Sequence, residues 1–149
     1  MPTFRHFTPA DTATLTDFTT AFYTEDPSDE AITPEKVAKT IAHFTNYPEK
    51  GTYYIFEEAG QPVGFAIVAF FWSNEYGGDL VTLDEFYVVP AHRGAGIGEA
   101  FLRFMFEHYH TRAAAFELEV TPSNDRARSF YTRVGFQPAK NNTYLYKPA

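Results

Sequence analysis

The sequence predicts a mixed α/β fold with the element order βααβββαβαβ(β). Two Thr-Pro pairs, at Thr8 and Thr33, mark helix starts in the amino-terminal third. The run Gln61–Trp72 is apolar on both faces, which is typical of a strand in the middle of a sheet. A further strand ends at Pro90 and passes through a glycine loop directly into an apolar-periodic helix. At 149 residues the chain has the length of one domain with one core, so we expect a single domain over 1–149.

The amino-terminal third is predicted to hold one short strand and two helices. Thr3–Phe7 favours a strand, and each Thr-Pro pair supplies an N-cap followed by a proline at the first helical position. Apolar residues then recur at helical spacing in both segments. They are Leu15, Phe18 and Phe22 in the first helix, and Val37, Ile41 and Phe44 in the second.

The middle of the chain is predicted to form three consecutive strands. Tyr53–Glu58 and Gln61–Trp72 flank the pair Ala59-Gly60, which favours a tight turn between antiparallel strands. A second turn with two glycines, over 73–79, leads into the strand that ends at Pro90. These three strands should form the centre of the sheet.

The carboxy-terminal third is predicted to alternate helix and strand. The helix after the glycine loop has one apolar side, and Ala114–Val120 favours the next strand. Ser123 or Asn124 caps a last helix that Gly135 ends. Tyr144–Lys147 is predicted to form a last strand. The apolar side of the helix after the loop comprises Ile97, Phe101, Phe104, Met105 and His108.

Composition excludes several classes of function. The chain has no cysteine, which excludes disulfides, thiolate metal sites and a cysteine nucleophile. His108 and His110 lie two apart on a predicted helix and face different sides, so we expect no metal site. A formal charge of −7 opposes binding to nucleic acid or anionic membrane. The start of the chain lacks a signal-peptide pattern and Val63–Trp72 is too short to span a bilayer, so we expect a cytoplasmic location.

The sequence RGAGIG at residues 93–98, here called the glycine loop, is the strongest functional signal. A strand, alternating glycines and an abrupt helix start place backbone N–H groups and a helix dipole where a phosphate can approach closely. A Walker A loop is excluded because Glu99 and Ala100 stand where Lys and Ser or Thr are needed. The dinucleotide fingerprint fails at Glu99, although Glu117 or Glu119 would imitate its ribose-binding acid. A turn without a ligand is the remaining alternative.

Two motifs in this chain resemble one family. Arg93-x-x-Gly96-x-Gly98, after a strand ending in FYVVP, resembles the pyrophosphate-binding motif of the Gcn5-related N-acetyltransferases (GNAT). The stretch 118–136, LEVTPSNDRARSFYTRVGF, resembles the second signature of that family. The resemblance extends from about Pro62 to Phe136. It implies a mostly antiparallel sheet flanked by four helices, acetyl-coenzyme A (acetyl-CoA) as acyl-donor co-substrate, and no metal.

The resemblance also implies a set of cofactor-binding residues. The strand backbone should pair with the pantetheine arm, and one of its N–H groups can stabilise the thioester oxyanion. Arg93 either contacts the pyrophosphate or orders the loop, and Asn124 either touches the pantetheine or only caps its helix. The implied set is Phe86, Tyr87, Val88, Arg93, Gly94, Ala95, Gly96, Ile97, Gly98, Asn124 and Ala127.

The candidate catalytic residues are Asp84, Glu85 and Tyr131. A primary amine is protonated at neutral pH, and this ammonium form must lose a proton before the nitrogen can attack a thioester. A carboxylate is the natural acceptor for that proton. Adjacent strand residues point to opposite faces, so at most one of Asp84 and Glu85 faces directly into the site. The run LDEFYV resembles the diamine and polyamine acetyltransferase branch, which favours Asp84, whereas other relatives leave Glu85 open. By the resemblance, Tyr131 donates to the departing coenzyme A sulfur.

The expected acceptor is a small cationic primary amine. Acidic residues cluster in the loop after the first helix and again near the strand that ends at Pro90. The alternatives are acetylation of protein lysines or N-termini, and a non-catalytic sensor that binds acyl-CoA. The aromatic content of 18% permits a homodimer. The acids concerned are Glu25, Asp26, Asp29, Glu30, Glu75, Asp79, Asp84 and Glu85.

Overall fold

The computed structural model describes residues 1–148, which fall into two compact units, one ending at Glu119 and one beginning at Val120. The first unit contains every strand that is observed and three of the helices, and the second contains the last helix. In chain order the first unit is β1 (Thr3–His6), a 3-10 turn (Pro9–Asp11), α1 (Thr12–Glu25), α2 (Pro34–Asn46), β2 (Gly51–Glu58), β3 (Gln61–Ser73), β4 (Gly78–Val88), a 3-10 turn (Pro90–His92), α3 (Ile97–His108) and β5 (Ala113–Leu118). The second unit contains α4 (Asp125–Val134).

The five strands form one sheet in the order β1-β2-β3-β4-β5. The first four strands pair antiparallel, and β5 runs parallel to β4 because α3 carries the chain back between them. Five strands with four helices confirm the predicted mixed α/β fold with a mostly antiparallel sheet.

Local chemistry explains where the helices and the first hairpin begin. The Thr8 hydroxyl oxygen accepts a hydrogen bond from the Ala10 N–H, and the Thr8 N–H donates one to the Asp11 carboxylate. This capping box starts a 3-10 turn that leads into α1. Thr33 caps α2 by accepting from the Lys36 N–H, as predicted. Ala59 and Gly60 both have positive φ, 51° and 78°, which is the conformation of a two-residue hairpin turn.

The two faces of the sheet are covered by different helices. The face toward α1 and α2 packs around Leu15, Ile41 and Tyr53. On the opposite face, Phe101 of α3 lies with its ring centroid 4.6 Å from that of Phe56. Tyr53 and Phe56 both come from β2 at odd spacing, so they point to opposite faces.

The predicted last strand over Tyr144–Lys147 is wrong. The structure assigns no strand there, and Tyr144, Leu145 and Tyr146 are 93%, 72% and 87% exposed. The alternating tyrosines Tyr144 and Tyr146 favour an extended backbone. A strand forms, however, only when a neighbouring strand supplies hydrogen-bond partners. Within residues 1–148, no helix is long and apolar enough to cross a membrane.

Candidate active site

A β-bulge on β4 lies at the candidate catalytic acids. Glu85 pairs with Ile67 of β3, and the next pair joins Leu83 to Val68, so Asp84 is an extra residue without its own position in the ladder. The strict alternation expected from the sequence is therefore interrupted at Asp84. Beyond the bulge, Glu85 and Tyr87 pair with Ile67 and Phe65, both of which face α1 and α2.

Strand β5 ends beside the same point. Its pairing with β4 runs from Asp79↔Ala113 to Leu83↔Leu118, and Leu118 is the last residue of β5. Strand β4 continues to Val88, with β3 still paired on its other side at Gly64↔Val88. From Asp84 onward, β4 therefore has a paired neighbour on the β3 side and, within residues 1–148, none on the β5 side.

The Glu85 carboxylate is held between the sheet and α1. The Tyr23 hydroxyl donates a hydrogen bond of 2.6 Å to Oε2 of Glu85. The other oxygen, Oε1, is buried and has no hydrogen-bond partner within residues 1–148. Burial raises the pKa of Glu85 from 4.5 to about 7; the bond from Tyr23 opposes this rise and the Asp84 charge adds to it. Glu85 can therefore accept or release a proton near neutral pH.

Asp84 occupies a different environment from that of its neighbour. Its side chain reaches solvent at the bulge. Partial burial, followed by the nearby charge of Glu119, raises the pKa of Asp84. No hydrogen bond within residues 1–148 orients the Asp84 carboxylate in the way that Tyr23 orients Glu85.

Two tyrosines line the Glu85 side of the sheet. Tyr23 projects from the last part of α1, and Tyr53 is a buried residue of β2. Burial is the main cause that raises the pKa of both hydroxyls, and the Glu85 charge raises it further. Both side chains therefore stay protonated and neutral around Glu85 at physiological pH.

The glycine loop has the geometry that a phosphate group needs. Gly94 and Gly96 have φ values of 80° and 84°, which L side chains rarely adopt. A Cβ atom added to either glycine would meet no other atom within 4 Å, so the loop presents open space rather than packed core. Helix α3 begins at Ile97 without a side-chain cap, which leaves its first N–H groups to a ligand or to water.

Arg93 orders the glycine loop from the inside. Its Nε donates to the Val88 carbonyl at 2.7 Å, and its guanidinium forms an ion pair of 2.7 Å with Glu25 at the end of α1. The guanidinium also lies 5.4 Å from the centre of the Tyr87 ring. Of the two roles considered for Arg93, these contacts correspond to loop ordering.

The remaining predicted site residues belong to the second unit. Asn124 caps α4 by accepting a hydrogen bond of 3.1 Å from the Ala127 N–H, so of Ser123 and Asn124 it is Asn124 that caps. Tyr131 lies on α4, with its ring 5.2 Å from that of Phe130. Burial raises the pKa of Tyr131 to about 12, so its hydroxyl keeps its proton at neutral pH. A contact of Asn124 or Ala127 with pantetheine stays a prediction.

The acidic cluster expected around the acceptor is smaller than the sequence suggested. Glu25 is paired with Arg93, and Asp79 forms an ion pair of 2.7 Å with Arg112. Asp79 is also five residues before Asp84 along β4, a separation of about 16 Å at the usual rise of a strand. The acids that remain at the bulge are Asp84 and Glu85, with the charge of Glu119 near Asp84.

Sequence reasoning missed Tyr23. Glu25 is among the acids that the sequence placed in a loop after the first helix, whereas α1 continues to Glu25 and so includes Tyr23. Leu15, Thr19 and Tyr23 recur every four residues and lie on the side of α1 that faces the sheet, where Leu15 and Thr19 are buried. The helical spacing i, i+4, i+8 from Leu15 includes Tyr23, but its bond to Glu85 spans 62 positions of sequence.

Together these features comprise a strand–loop–helix turn with open backbone N–H groups and, on the strand that leads into it, a carboxylate with a pKa of about 7. The sequence profile described as Acetyltransferase (GNAT) family matches residues 13–136, and the chain therefore belongs to the GNAT family of acetyltransferases. That family uses acetyl-CoA as co-substrate. Within residues 1–148, no three His, Cys, Asp or Glu side chains form a group that could hold a metal ion.

Relatives agree with this assignment, and a solved structure has the same fold. An uncharacterized N-acetyltransferase of Methanocaldococcus jannaschii is 32% identical over 110 residues, which cover 72% of this chain and 65% of the relative. A streptothricin acetyltransferase of Streptomyces lavendulae is 34% identical over 89 residues, covering 59% of this chain and 45% of the relative. The chain thus spans less than two thirds of the length of either protein. The crystal structure of a possible acetyltransferase from Clostridium difficile 630 superimposes with a TM-score of 0.88 at 17% identity, covering 100% of this chain and 99% of that one.

Proposed function

We propose that this protein is an acetyl-CoA-dependent N-acetyltransferase that transfers an acetyl group directly to a small cationic primary amine in a ternary complex. The observation that carries the proposal is the Glu85 carboxylate. One of its oxygens is held by Tyr23, the other is buried without a partner, and its pKa is about 7. A buried acid in this state costs folding free energy, and groups with such perturbed pKa values cluster at functional sites.

The residues present fit the phosphates and the pantetheine arm of acetyl-CoA. The open positions at Gly94 and Gly96 allow the pyrophosphate to approach the backbone N–H groups of 94–98 at the start of α3. The backbone of 86–88 would hold the pantetheine arm, because β5 ends before it reaches this part of β4. When bound, acetyl-CoA supplies an acetyl group activated as a thioester.

Glu85 is the proposed general base. An alkylammonium has a pKa of about 10.4, so at neutral pH the acceptor arrives protonated. Because the pKa of Glu85 is raised from 4.5 to about 7, the gap between base and amine narrows from about six to about three pKa units. Because Oε1 is buried and Oε2 is held by Tyr23, the proton would reach the carboxylate through a water rather than by direct contact with the amine. Asp84, which lacks an orienting bond, is the alternative base.

Tyr131 is the proposed hydrogen-bond donor to the departing sulfur, a role that comes from the family resemblance. With a pKa of about 12 its hydroxyl is protonated across the working range. The same raised pKa makes it a weak acid, because a free thiol has a pKa of only about 8.5. Tyr131 therefore stabilises the developing thiolate by hydrogen bonding more than by complete proton transfer.

A cationic acceptor is supported by charge and by one relative. The chain carries a formal charge of −7, and two carboxylates, Asp84 and Glu85, lie at the bulge. Because Glu25 and Asp79 are already paired with arginines, the case depends on those two carboxylates. A small compound as acceptor also agrees with the relative named for streptothricin acetylation. The resemblance of LDEFYV to the diamine and polyamine branch supports the same type of acceptor.

The test is thiol release from acetyl-CoA with a panel of amines. We expect turnover with polyamines and lysine analogues, and little with neutral amines or anionic amino acids. Turnover confined to peptides would replace the small-molecule acceptor with protein lysines or N-termini. If coenzyme A binds but no amine on the panel releases thiol above background, the chain is a binding protein rather than an acetyltransferase for these acceptors.

A binding measurement tests the cofactor assignment separately. Gly96→Asp introduces a side chain and a negative charge where φ is 84°. We expect calorimetry to show that the affinity for coenzyme A is reduced at least about tenfold. The substitution disturbs the loop backbone, and its negative charge repels the phosphate groups. The matched control is Gly60→Asp, because Gly60 also has a positive φ, 78°, but lies in the β2–β3 turn. Equal affinity in both variants and in the parent protein would remove the loop from the phosphate site.

A further inference from the structure

The contact between Tyr23 and Glu85 is a short, directed hydrogen bond rather than a packing contact. The two residues are 62 positions apart and meet across the gap between α1 and β4 through a hydroxyl–carboxylate bond of 2.6 Å. That bond involves only Oε2 of Glu85, and Oε1 is left buried without a partner. The two oxygens of one carboxylate are therefore differentiated by a single hydroxyl.

The position of Tyr23 on α1 is fixed by residues that have no part in this bond. Leu15 and Thr19 precede Tyr23 on the same side of the helix and are 0% and 1% exposed. Beside them, Phe22 packs with its ring 6.4 Å from the rings of Phe65 and Tyr87. Because these contacts anchor α1 on the sheet, the Tyr23 hydroxyl is presented to Glu85 by a rigid element rather than by a loop.

We propose that Tyr23 is the positioning residue for Glu85: its hydroxyl holds Oε2 and thereby fixes the orientation of the carboxylate that takes the proton of the amine. This inference rests on the proposed function, in which Glu85 is the base. It adds a residue on α1 that lies outside both sequence motifs. Thr19 serves no such role, because its buried hydroxyl has no hydrogen-bond partner within residues 1–148.

Removing the hydroxyl should change the titration of Glu85 in a defined direction. The groups that face Glu85 within residues 1–119 are Tyr23 from α1, Tyr53 from β2 and Asp84 from β4 itself. Of these, only Tyr23 donates a hydrogen bond that favours the ionised carboxylate. Tyr23→Phe should therefore raise the pKa of Glu85 above about 7. Fewer molecules would then carry the base in its active, ionised form at neutral pH.

The first experiment is the pH profile of kcat/KM for Tyr23→Phe, with Thr19→Val as matched control. We expect the acid limb of Tyr23→Phe to move upward by about one pH unit, since a hydrogen bond to a charged group has about that effect. The loss in kcat/KM should be about fivefold at pH 7 and should shrink as the pH rises. Thr19→Val removes a hydroxyl from the same helix side and should leave the limb unmoved. A uniform loss at every pH would show a purely structural role and would overturn the proposal.

A second readout does not depend on turnover. The carboxyl ¹³C resonance of Glu85, assigned by its disappearance in Glu85→Gln, can be titrated in the free protein. We expect its midpoint to rise in Tyr23→Phe and to stay constant in Thr19→Val. An unchanged midpoint in Tyr23→Phe would overturn the positioning role even if the enzyme is active. A shifted midpoint without thiol release from any amine would instead retain the Tyr23–Glu85 coupling and count against the proposed acetyl transfer.

Discussion

The two faces of the sheet differ in whether their buried polar side-chain atoms have hydrogen-bond partners. On the α3 face, the buried hydroxyls of Tyr54 and Tyr109 hydrogen-bond to each other at 2.5 Å. On the face toward α1 and α2, Glu85 Oε1 and Thr19 Oγ1 are buried without partners within residues 1–148. Buried polar atoms are ordinarily paired because an unpaired one costs about 1–3 kcal/mol. The unpaired oxygen of Glu85 lies next to a bulge and a strand end, and this combination supports the proposal that Glu85 belongs to the active site.

The largest effect is expected on the α1 side, on catalytic activity. Glu85→Gln keeps the volume of the side chain and removes its ability to accept a proton, so kcat/KM should fall by about 10²–10⁴. Thermal unfolding should show a protein that is as stable as the parent or more so, because an amide avoids the cost of a buried ionisable acid. Asp84→Asn is the matched comparison and should have the smaller effect. The reverse ranking would transfer the base role to Asp84.

On the α3 side, the largest effect is expected on stability. Phe101 is fully buried, and its ring lies within 6 Å of the rings of five other aromatic residues. They are Phe4 at 5.3 Å, Tyr54 at 5.5 Å, Phe56 at 4.6 Å, Phe86 at 5.9 Å and Phe104 at 5.9 Å. Phe101→Ala should lower the free energy of unfolding by about 3–5 kcal/mol, measured in urea. Phe71→Ala, at a residue 67% exposed, should change it by no more than about 0.5 kcal/mol.

The pH dependence of stability gives a further contrast between parent and Glu85→Gln. Because the native pKa of Glu85 is about 7 and its ordinary value is 4.5, the native state binds more protons than the unfolded state between these values. Stability of the parent should therefore fall as the pH rises from about 4.5 to 7, by up to about 3 kcal/mol from this group. The glutamine variant lacks this loss. Its advantage in urea should grow across that window, and a constant difference would mean that Glu85 has an ordinary pKa.

Burial lowers the pKa of His6, which makes the protein less stable as the pH falls. This effect is the same in the parent and in Glu85→Gln. It therefore cancels in the difference between them, which is why the comparison is made as a difference rather than on one protein.

The features that the sequence predicted correctly depend on residues that are close together in the chain. The caps at Thr8, Thr33 and Asn124 depend on a side chain and an N–H two or three residues away, and the glycine loop depends on glycine itself. Such features can be seen in a short window of sequence. The predicted strand at Tyr144–Lys147 was wrong because strand formation depends on a distant partner that a window does not contain.

The parts of the candidate site that could not be predicted are all non-local. The bulge at Asp84 appears only when β4 is registered against β3, and no glycine or proline marks it in the sequence. Whether Glu85 faces α1 or α3 depends on that register. The bond from Tyr23 requires the packing angle of α1 on the sheet, which is set by side chains such as Leu15 and Phe22 rather than by the residues that form the bond.

The smallest expected effect compares one hydroxyl from each face of the sheet. Tyr54→Phe removes one partner of the Tyr54–Tyr109 bond and leaves the Tyr109 hydroxyl buried, so we expect a loss of about 1 kcal/mol in the free energy of unfolding. Thr19→Val removes a buried hydroxyl that has no hydrogen-bond partner, so stability should stay equal or increase. Urea titrations of both variants measure the contrast. If Thr19→Val also costs about 1 kcal/mol, its hydroxyl has a partner such as an ordered water. Within residues 1–148, the difference between the two faces would then depend on the Glu85 oxygen alone.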